Sequence, residues 1–397
     1  MPAGTPGLIS QDGKERDALT DEARTLELFH GLMQLDTVNP PGNEQAAAAY
    51  LHRQFSAANI PCEVQELGGG RANFIAHIGS GSPVLELGGH LDVVPCPGEW
   101  LHPPLAATEE NGRFYGRGAC DMKGGVAAMC AAALGLHAEK APLHGTLRLA
   151  FVADEEHANL GMHAYLARYP AADWAVLGEP TDLQVAVAHR GAARFYIDLH
   201  GRACHAALPY AGETAVTKAA RAVLALDALN TRLGNLRHPV LPGPSLAVTQ
   251  IKGYEKDNVI PARVRLLTDH RLLPGTTQAQ AQRLLEDALL QAGITDFTLE
   301  SRFFMPGGEL AADDGFVQQA CAVTGRVLGR EQTPRAFGAS CEQCFLLQAG
   351  ARTLVLGPGS LEQAHTTDEY VSRSQILQAV ACYRALALGM LNGDEQK

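Results

Sequence analysis

Two histidines and several carboxylates directly follow apolar runs of this chain, where the side chains of a folded protein can meet. In chain order they are His90, Asp92, Asp121, Glu155, Glu156, Glu179 and His365. Imidazole and carboxylate are common zinc ligands, and a carboxylate close to bound cations can also act as a general base. Together the residues indicate a two-metal hydrolase site.

Each member has an ordinary alternative when it is taken alone. In GGHLDVVP, Asp92 can accept the second ring N–H of His90 and so orient a metal ligand, yet an isolated histidine is more often a structural or surface residue. In GRGACDMKGG, Asp121 lies between a glycine-rich turn and an alanine-rich helix. Its two oxygens could bridge two cations, although aspartate is also a favoured helix N-cap.

The run ADEE places Glu155 and Glu156 after the strongly apolar LRLAFVA. Adjacent like charges at a partly buried strand end are costly unless a cation or a shared proton offsets them. This run therefore favours a functional site over a solvated loop. Glu179 in LGEPT and His365 in GPGSLEQAHTTDEY also follow apolar strands, and their ordinary alternatives are a loop acid and a surface histidine.

Short apolar runs alternate with helical stretches through the first half of the chain. Strands are predicted at 73–79, 84–92, 147–154 and 174–180, and helices at 44–57, 123–138 and 160–169, after an earlier helix that begins near Thr20. This alternation is typical of an α/β fold with a mostly parallel central sheet. The candidate residues then fall at the carboxyl ends of strands, where such sheets bind ligands.

The order of the elements changes after residue 190. A strand (193–200), a helix (214–230), two strands (246–252 and 262–270), a helix (277–292) and a strand (296–302) follow. This is the β-α-β-β-α-β order of a ferredoxin-like unit. A strand at 352–356 then leads to His365. We therefore predict a discontinuous catalytic domain, 1–189 and 303–397, and an inserted α+β domain, 190–302.

Composition excludes several classes of partner. The formal net charge of −11 argues against binding to nucleic acid or to an anionic membrane. The apolar stretch Val126 to Ala138 is too short to span a bilayer, and the first residues do not have the pattern of a signal peptide. Nine scattered cysteines, an odd number, are typical of reduced thiols in the cytoplasm.

The motifs GGHLDVVP, GRGACDMKGG, ADEE, GEPT and GPGSLEQAHTTDEY occur in this order. This ordered set resembles the acetylornithine deacetylase / succinyl-diaminopimelate desuccinylase / aminoacylase family of zinc hydrolases, from about residue 30 to the C-terminus. The resemblance implies an α/β catalytic domain with an inserted ferredoxin-like lid that usually forms a homodimer. It agrees with the domains predicted above.

The resemblance also implies a set of metal ligands. His90, Asp121 and Glu179 would hold one zinc ion, and Asp121 would bridge to a second one held also by Glu156 and His365. Three carboxylates against two dications leave one positive charge, which favours a bound hydroxide. Cobalt is expected to substitute for zinc.

Further roles are implied for residues that do not bind the metals. Asp92 would orient His90, and Glu155 would be the general base. In the lid, His205 of GRACHAALP would stabilise an oxyanion, often across the dimer. Asn258 and Arg271 would bind the substrate carboxylate, for which the planar fork of arginine is suited. A structural role in the lid is the alternative for these last three.

The expected activity is metal-dependent hydrolysis of a small N-acyl amino acid, in amino-acid biosynthesis. N-acetylornithine is the first candidate substrate and N-succinyl-diaminopimelate the second, while dipeptidase or carboxypeptidase activity and a non-catalytic metal-binding relative remain alternatives. The segment GASCEQC (338–344) departs from the Gly-Ser/Thr-Asp type common in the family. Its Cys341 and Cys344 form a lone CxxC pair, interpreted as structural thiols.

Overall fold

A computed structural model describes residues 21–253 and 255–392 of the chain. Its strands are β1 (Cys62–Gly68), β2 (Arg71–Gly79), β3 (Val84–His90), β4 (Thr108–Glu110), β5 (Arg113–Tyr115), β6 (Thr146–Val152), β7 (Trp174–Leu177), β8 (Ala186–His189), β9 (Gly191–His200), β10 (Cys204–His205), β11 (Ser245–Lys252), β12 (Val259–Ile260), β13 (Arg263–Leu272), β14 (Phe297–Met305), β15 (Gly308–Glu309), β16 (Arg335–Phe337), β17 (Arg352–Val355) and β18 (Tyr370–Ser372). Its α-helices are α1 (Asp21–Met33), α2 (Glu44–Ala57), α3 (Gly124–Ala138), α4 (Leu160–Arg168), α5 (Ala215–Leu233), α6 (Gln278–Gln291), α7 (Gly315–Leu328), α8 (Gln343–Ala349) and α9 (Arg373–Asn392).

The larger sheet has its most buried strands at its centre. Its order is β1-β2-β6-β3-β7-β17-β8-β15, and β16 pairs with β8. The central strands β6, β3, β7 and β17 run parallel to one another, whereas β1, β2 and β15 pair antiparallel. All seven residues of β6 are buried, as expected for a strand covered by helices on both faces.

Helix α3 packs between α9, α1 and the larger sheet. Its first thirteen residues, from Gly124 to Leu136, are all buried, and they are mostly alanine and glycine. Because these side chains are small, the backbone of the helix can lie close to the neighbouring elements. The stretch Ala119–Ala138 has the length and composition of a membrane span, but it is wholly buried here as a core helix.

A second, four-stranded sheet in the order β11-β13-β9-β14 carries α5 and α6. Strand β13 alternates between buried and partly exposed residues, so one face packs on the helices and the other is available to a neighbour. Helix α6 begins with a capping box between Thr277 and Gln280. Along the chain the elements follow the predicted β-α-β-β-α-β order, and β14 continues to Met305.

Most predicted elements are confirmed. Helix α2 has the predicted bounds, and the four predicted strands of the first half correspond to β2, β3, β6 and β7. One strand differs in direction, because β2 pairs antiparallel with β6. Helix α1 is described from Asp21 onward, and the predicted start at Thr20 lies outside the described residues. Short edge strands such as β4, β15 and β18 were not predicted, since they lack a long apolar run.

Candidate metal centre

The predicted ligands meet at one edge of the larger sheet. His90 ends β3, Glu155 and Glu156 follow β6, and Glu179 follows β7. These strands are parallel neighbours, so their carboxyl ends lie side by side. His365 comes from the loop after β17, the next strand along.

One half of the site is formed by His90, Asp121 and Glu179. The Nε2 atom of His90 lies 3.1 Å from Oδ1 of Asp121 and 3.8 Å from Oε1 of Glu179. All three residues are buried. The other ring nitrogen of His90, Nδ1, lies 2.9 Å from the backbone carbonyl oxygen of Asp92. That bond fixes the ring so that Nε2 faces the two carboxylates.

The other half is formed on the second oxygen of Asp121. Nε2 of His365 lies 3.3 Å from Oδ2 of Asp121 and 3.1 Å from Oε1 of Glu156. Glu156 also reaches the first half, since the ligand atoms of His90, Asp121 and Glu156 all lie within 4.8 Å of one another. Asp121 therefore presents one oxygen to each histidine, as a bridging carboxylate does.

The carboxyl groups and imidazoles of this cluster have strongly shifted pKa values. Burial raises the pKa of Glu179 well above its usual range and that of Glu155 to about 8. The pKa of Glu156 is also raised by burial. Hydrogen bonds to Asp121 and Glu156 raise the pKa of His365 to about 10. With these raised pKa values, the crowded carboxyl groups hold their protons and so do the adjacent imidazoles. Such a cluster is typical of a site that binds a cation in place of the protons.

The donor set fits divalent cations. Three carboxylates and two imidazoles converge through the contacts given above, and Asp121 supplies an oxygen to each side. Bound cations would return the imidazoles to their neutral, ligating form and ionise the buried carboxyls. Such cations polarise a carbonyl oxygen and make water a stronger nucleophile at neutral pH.

Asp92 and Glu155 lie beside the ligands. The carboxylate of Asp92 is 3.6 Å from Nδ1 of His90, and its two oxygens accept the backbone N–H groups of Glu155 and Glu156, both at 3.1 Å. Asp92 thus contacts the ring and also holds the turn that carries the proposed base. Glu155 itself is half-buried and faces the cleft next to the cluster.

Two local features of the backbone allow this convergence. A Cβ atom on Gly125 would lie 2.3 Å from the carbonyl oxygen of Gly178, so only glycine lets the start of α3 approach the strand end that carries Glu179. Asp154 and His365 both have positive φ, 69° and 63°. Left-handed backbone at non-glycine residues is costly and tends to occur at functional sites.

The three candidate residues of the segment 190–302, His205, Asn258 and Arg271, fall into two groups. Arg271 lines a cleft of about 620 Å³ that also contains Glu155 and Glu156. His205 and Asn258 are exposed and lie 3.2 Å apart, Nε2 to Nδ2; His205 ends β10, and Asn258 directly precedes β12, the antiparallel partner of β10. Among residues 21–253 and 255–392, no hydrogen bond or ion pair joins this pair of strands to the acid cluster.

Sequence reasoning missed four residues that support the cluster: Asn39, Arg117 and Glu369, which are buried, and Arg71, which is partly buried. Asn39 donates hydrogen bonds to Asp92 and Asp154 and accepts one from Arg71. Glu369 accepts a hydrogen bond from Arg117. Asn39 stands in NPPG, between α1 and α2, and no motif marks it. Glu369 stands in the HTTDEY segment with His365, and this proximity to a motif was its one signal. Polar residues in loops are usually exposed, so the burial of these two was not expected.

The segment 341–344 is buried next to the site. Cys341 and Cys344 are each 1% exposed and are free thiols, and burial raises the pKa of both. Neutral buried thiols are unreactive. Between them, Glu342 is also buried, its Oε1 has no hydrogen-bond partner, and burial raises its pKa well above the usual range.

Fold and site together define a metal-dependent hydrolase of amide bonds. The chain belongs to peptidase family M20/M25/M40, which it matches over residues 87–389. It is 32% identical to an acetylornithine deacetylase of Vibrio cholerae over 87% of this chain and 93% of that one. An acetylornithine deacetylase of Proteus mirabilis is 34% identical over 77% of this chain and 79% of its own.

Solved structures show the same fold at lower identity. The aminopeptidase PepT of Bacillus cereus superposes with a TM-score of 0.77 at 21% identity, covering 92% of this chain and 98% of that one. The YXEP protein of Bacillus subtilis, a dinuclear metal-binding peptidase of the M20 family, has a TM-score of 0.69 at 17% identity, covering 94% and 99%. The predicted α/β class and family are confirmed.

Proposed function

We propose that this protein removes the acyl group from a small N-acyl amino acid, with N-acetylornithine as the first candidate substrate. The observation that carries the proposal is the bridging position of Asp121, with one oxygen facing each histidine. The relatives that match most of the chain are named acetylornithine deacetylase, which supports the choice of substrate.

Two zinc ions are the proposed cofactors, and cobalt is expected to replace them. His90, Asp121 and Glu179 would hold one ion, and Asp121, Glu156 and His365 the other. The contacts among these side chains support the grouping, since each half combines an imidazole with carboxylate oxygens. When bound, the ions supply Lewis acidity to the scissile carbonyl and to the attacking water.

The chain's own residues would handle the proton and the substrate. Glu155 would take a proton from the attacking water and pass it to the leaving amine. Arg271 would bind the substrate's carboxylate by its planar guanidinium, and Asn258 would assist. His205 would donate a hydrogen bond to the oxyanion of the tetrahedral intermediate. Asp92 would keep His90 and the Glu155 turn in place.

The lid proposal explains why His205 and Asn258 lie outside the cluster. We assign residues 190–302 to a lid and dimerisation domain, and 1–189 with 303–397 to the catalytic domain. A homodimer through the lid could bring His205 of one subunit to the site of the other. A cytoplasmic location is proposed from the nine cysteines, which are all free thiols.

The charge of the cleft favours N-succinyl-diaminopimelate as a second candidate. Arg194, Arg271 and Arg302 all line it, whereas its acids are the proposed ligand Glu156 and base Glu155. Asp269 pairs with both Arg194 and Arg271. Arg302 has no ion-pair partner among the described residues, so a second substrate carboxylate would meet a free guanidinium.

Release of primary amine from N-acetylornithine and from N-succinyl-diaminopimelate, measured side by side with added zinc or cobalt, tests the proposal. Strong preference for one substrate, abolished by a chelator, would identify it. Failure to cleave either, with two zinc equivalents bound, would reject both substrates and direct the assay to dipeptides. Absence of bound metal after purification with zinc would contradict the dinuclear site itself.

A further inference from the structure

The buried carboxylate of Glu369 is not among the proposed ligands, yet it bonds to the turn that carries one of them. Its Oε1 accepts the backbone N–H groups of Cys120, at 2.8 Å, and of Asp121, at 3.1 Å. Its Oε2 accepts a hydrogen bond from Arg117. Glu369 is 0% exposed and Arg117 is 1% exposed, so water does not compete for either group.

Glu369 joins the two chain segments that meet at the bridging carboxylate. It follows His365 closely in sequence and leads into β18, which pairs with β5. Its own carbonyl oxygen accepts the N–H of Gly116, at 2.8 Å, in the turn before Asp121. Oδ2 of Asp121 lies 3.3 Å from Nε2 of His365. The bonds of Glu369 therefore hold together the two segments that carry these two proposed ligands.

Stability alone does not account for this pair. Removing two charges from water costs free energy, which an ion pair regains only when its remaining hydrogen bonds are also satisfied. The Nε of Arg117 has no hydrogen-bond partner within residues 21–253 and 255–392, so the pair is not fully satisfied. The groups that Glu369 does satisfy are two consecutive N–H groups, one of them on a proposed ligand. We therefore attribute to the bonds of Glu369 a role in positioning the turn that carries Asp121.

The first histidine has a similar arrangement. Asp92, two residues after His90, accepts the N–H groups of Glu155 and Glu156. In each case an acid that follows a histidine ligand holds the backbone of an acidic ligand from another segment. The turn of Asp121 and the turn of Glu156 are thus fixed by the same kind of contact.

We propose that Glu369, backed by Arg117, is a positioning residue of the metal centre. It fixes the Asp121 carboxylate relative to His365 and thereby sets the affinity for the cations. The inference depends on the ligand assignment made under the proposed function but not on the substrate or the reaction.

Glu369→Gln tests it, because the shape is kept while the charge is lost and an amide N–H₂ faces the guanidinium of Arg117. We expect zinc affinity, measured by competition with a chelating dye, to fall roughly 10- to 100-fold, as for other groups that orient ligands. The visible spectrum of the cobalt-loaded protein should also change. Neither readout needs a substrate, so failure of the proposed function would not affect them.

Glu86→Gln is the matched control. Glu86 and Arg148 form another buried pair, 1% and 5% exposed, on the neighbouring strands β3 and β6 of the larger sheet, and within the described part of the chain neither is hydrogen-bonded to a proposed ligand. This variant should lose thermal stability but keep wild-type zinc affinity and cobalt spectrum. If Glu369→Gln behaves like Glu86→Gln in all three measurements, the proposal is wrong.

A double variant, Glu369→Gln with Arg117→Gln, separates position from charge and covers the case in which the single variant does not fold. A Gln–Gln pair can keep the acceptor for the two N–H groups without a buried charge. It should recover part of the lost zinc affinity. No recovery in a folded double variant would show that the negative charge, not the hydrogen-bonded position, is what matters, and would overturn the proposal.

Discussion

At the scale of single residues, the site depends on how Asp121 divides its two oxygens. Oδ1 faces His90 and Oδ2 faces His365, so one side chain serves both halves. Among the described residues Glu155 has no comparable contact with a histidine, and it lines the cleft. The proposed ligand Glu156 and the proposed base Glu155 therefore differ in their contacts, although they are adjacent in sequence.

Replacement of Glu155 by glutamine should abolish proton transfer and leave the metals in place. We expect kcat to fall by a factor of roughly 100 to 10,000, because an amide cannot act as a base. Zinc content, measured by atomic absorption, should stay at the wild-type value. Near-wild-type turnover with both metals bound would show that another group is the base.

Glu156→Gln provides the comparison for that experiment. Glu156 contacts His365 at 3.1 Å, so its loss should reduce metal content as well as turnover. If both variants keep full metal content, the assignment of Glu156 as a ligand is wrong.

The proposed ligands could be picked out from sequence because each follows an apolar strand or stands in an ordered motif. The residues behind them could not. Asn39 and Asp92 are far apart in the chain, as are Glu369 and Asp121, and a single sequence contains no signal for such pairs. Polar loop residues are usually solvated, and only the fold shows that these are buried.

At the scale of elements, the loop after α1 supports the turn after β6. The side-chain amide of Asn39 donates to Oδ2 of Asp92, at 2.8 Å, and to Oδ1 of Asp154, at 2.9 Å. Its Oδ1 accepts from Arg71, at 2.7 Å. The amide therefore separates two buried carboxylates and connects them to a cation, which keeps the acidic turn in one position.

Asn39→Asp should break this support. The new carboxylate would face two others and donate no hydrogen bond, and a buried unpaired group of this kind costs about 3 kcal/mol or more. We expect a lower midpoint of thermal unfolding and reduced zinc content. Asn43→Asp is the control: Asn43 lies in the same loop and is exposed, so its change should alter neither measurement. Equal effects of the two substitutions would contradict the supporting role.

The type of an element could be predicted where its hydrophobic pattern extended over many residues. The strand predicted at 262–270 and the helix predicted at 277–292 correspond to β13 and α6. Short strands such as β5 and β18 form only because tertiary contacts, including those of Glu369, bring the segments together. Local sequence does not determine such elements.

At the scale of the whole molecule, each of the two largest sheets contains a buried, neutral histidine. His189 at the end of β8 is 0% exposed and His270 in β13 is 1% exposed. Burial lowers the pKa of each to about 4. The unfolded chain binds protons at these sites near its ordinary pKa of about 6.5. The contribution of these two histidines to stability is therefore fully present above about pH 6.5 and is lost as pH falls toward 4.

His270→Leu and His189→Leu should each reduce this loss of stability in acid. The effect of one buried histidine is at most about 3 kcal/mol, which would appear as a shallower fall of the thermal midpoint between pH 7 and pH 5. His163→Leu, at an exposed position, should leave the slope unchanged. If both leucine variants keep the wild-type slope, other groups cause the acid sensitivity.

The proposed homodimer makes a prediction about how subunits share a site. A His205→Ala subunit keeps Glu155, and a Glu155→Gln subunit keeps His205, so each variant alone should be inactive. If His205 acts across the dimer, each mixed dimer contains one complete site, and random exchange of the two variants should restore about a quarter of wild-type turnover. The measurement is amine release after the variants are unfolded together and refolded, with each variant refolded alone as the control. If His205 serves its own subunit, no mixed dimer contains a complete site, and the mixture stays inactive. That result, in a sample shown by sedimentation to be dimeric, would place the lid's histidine in the same chain as the metals it serves.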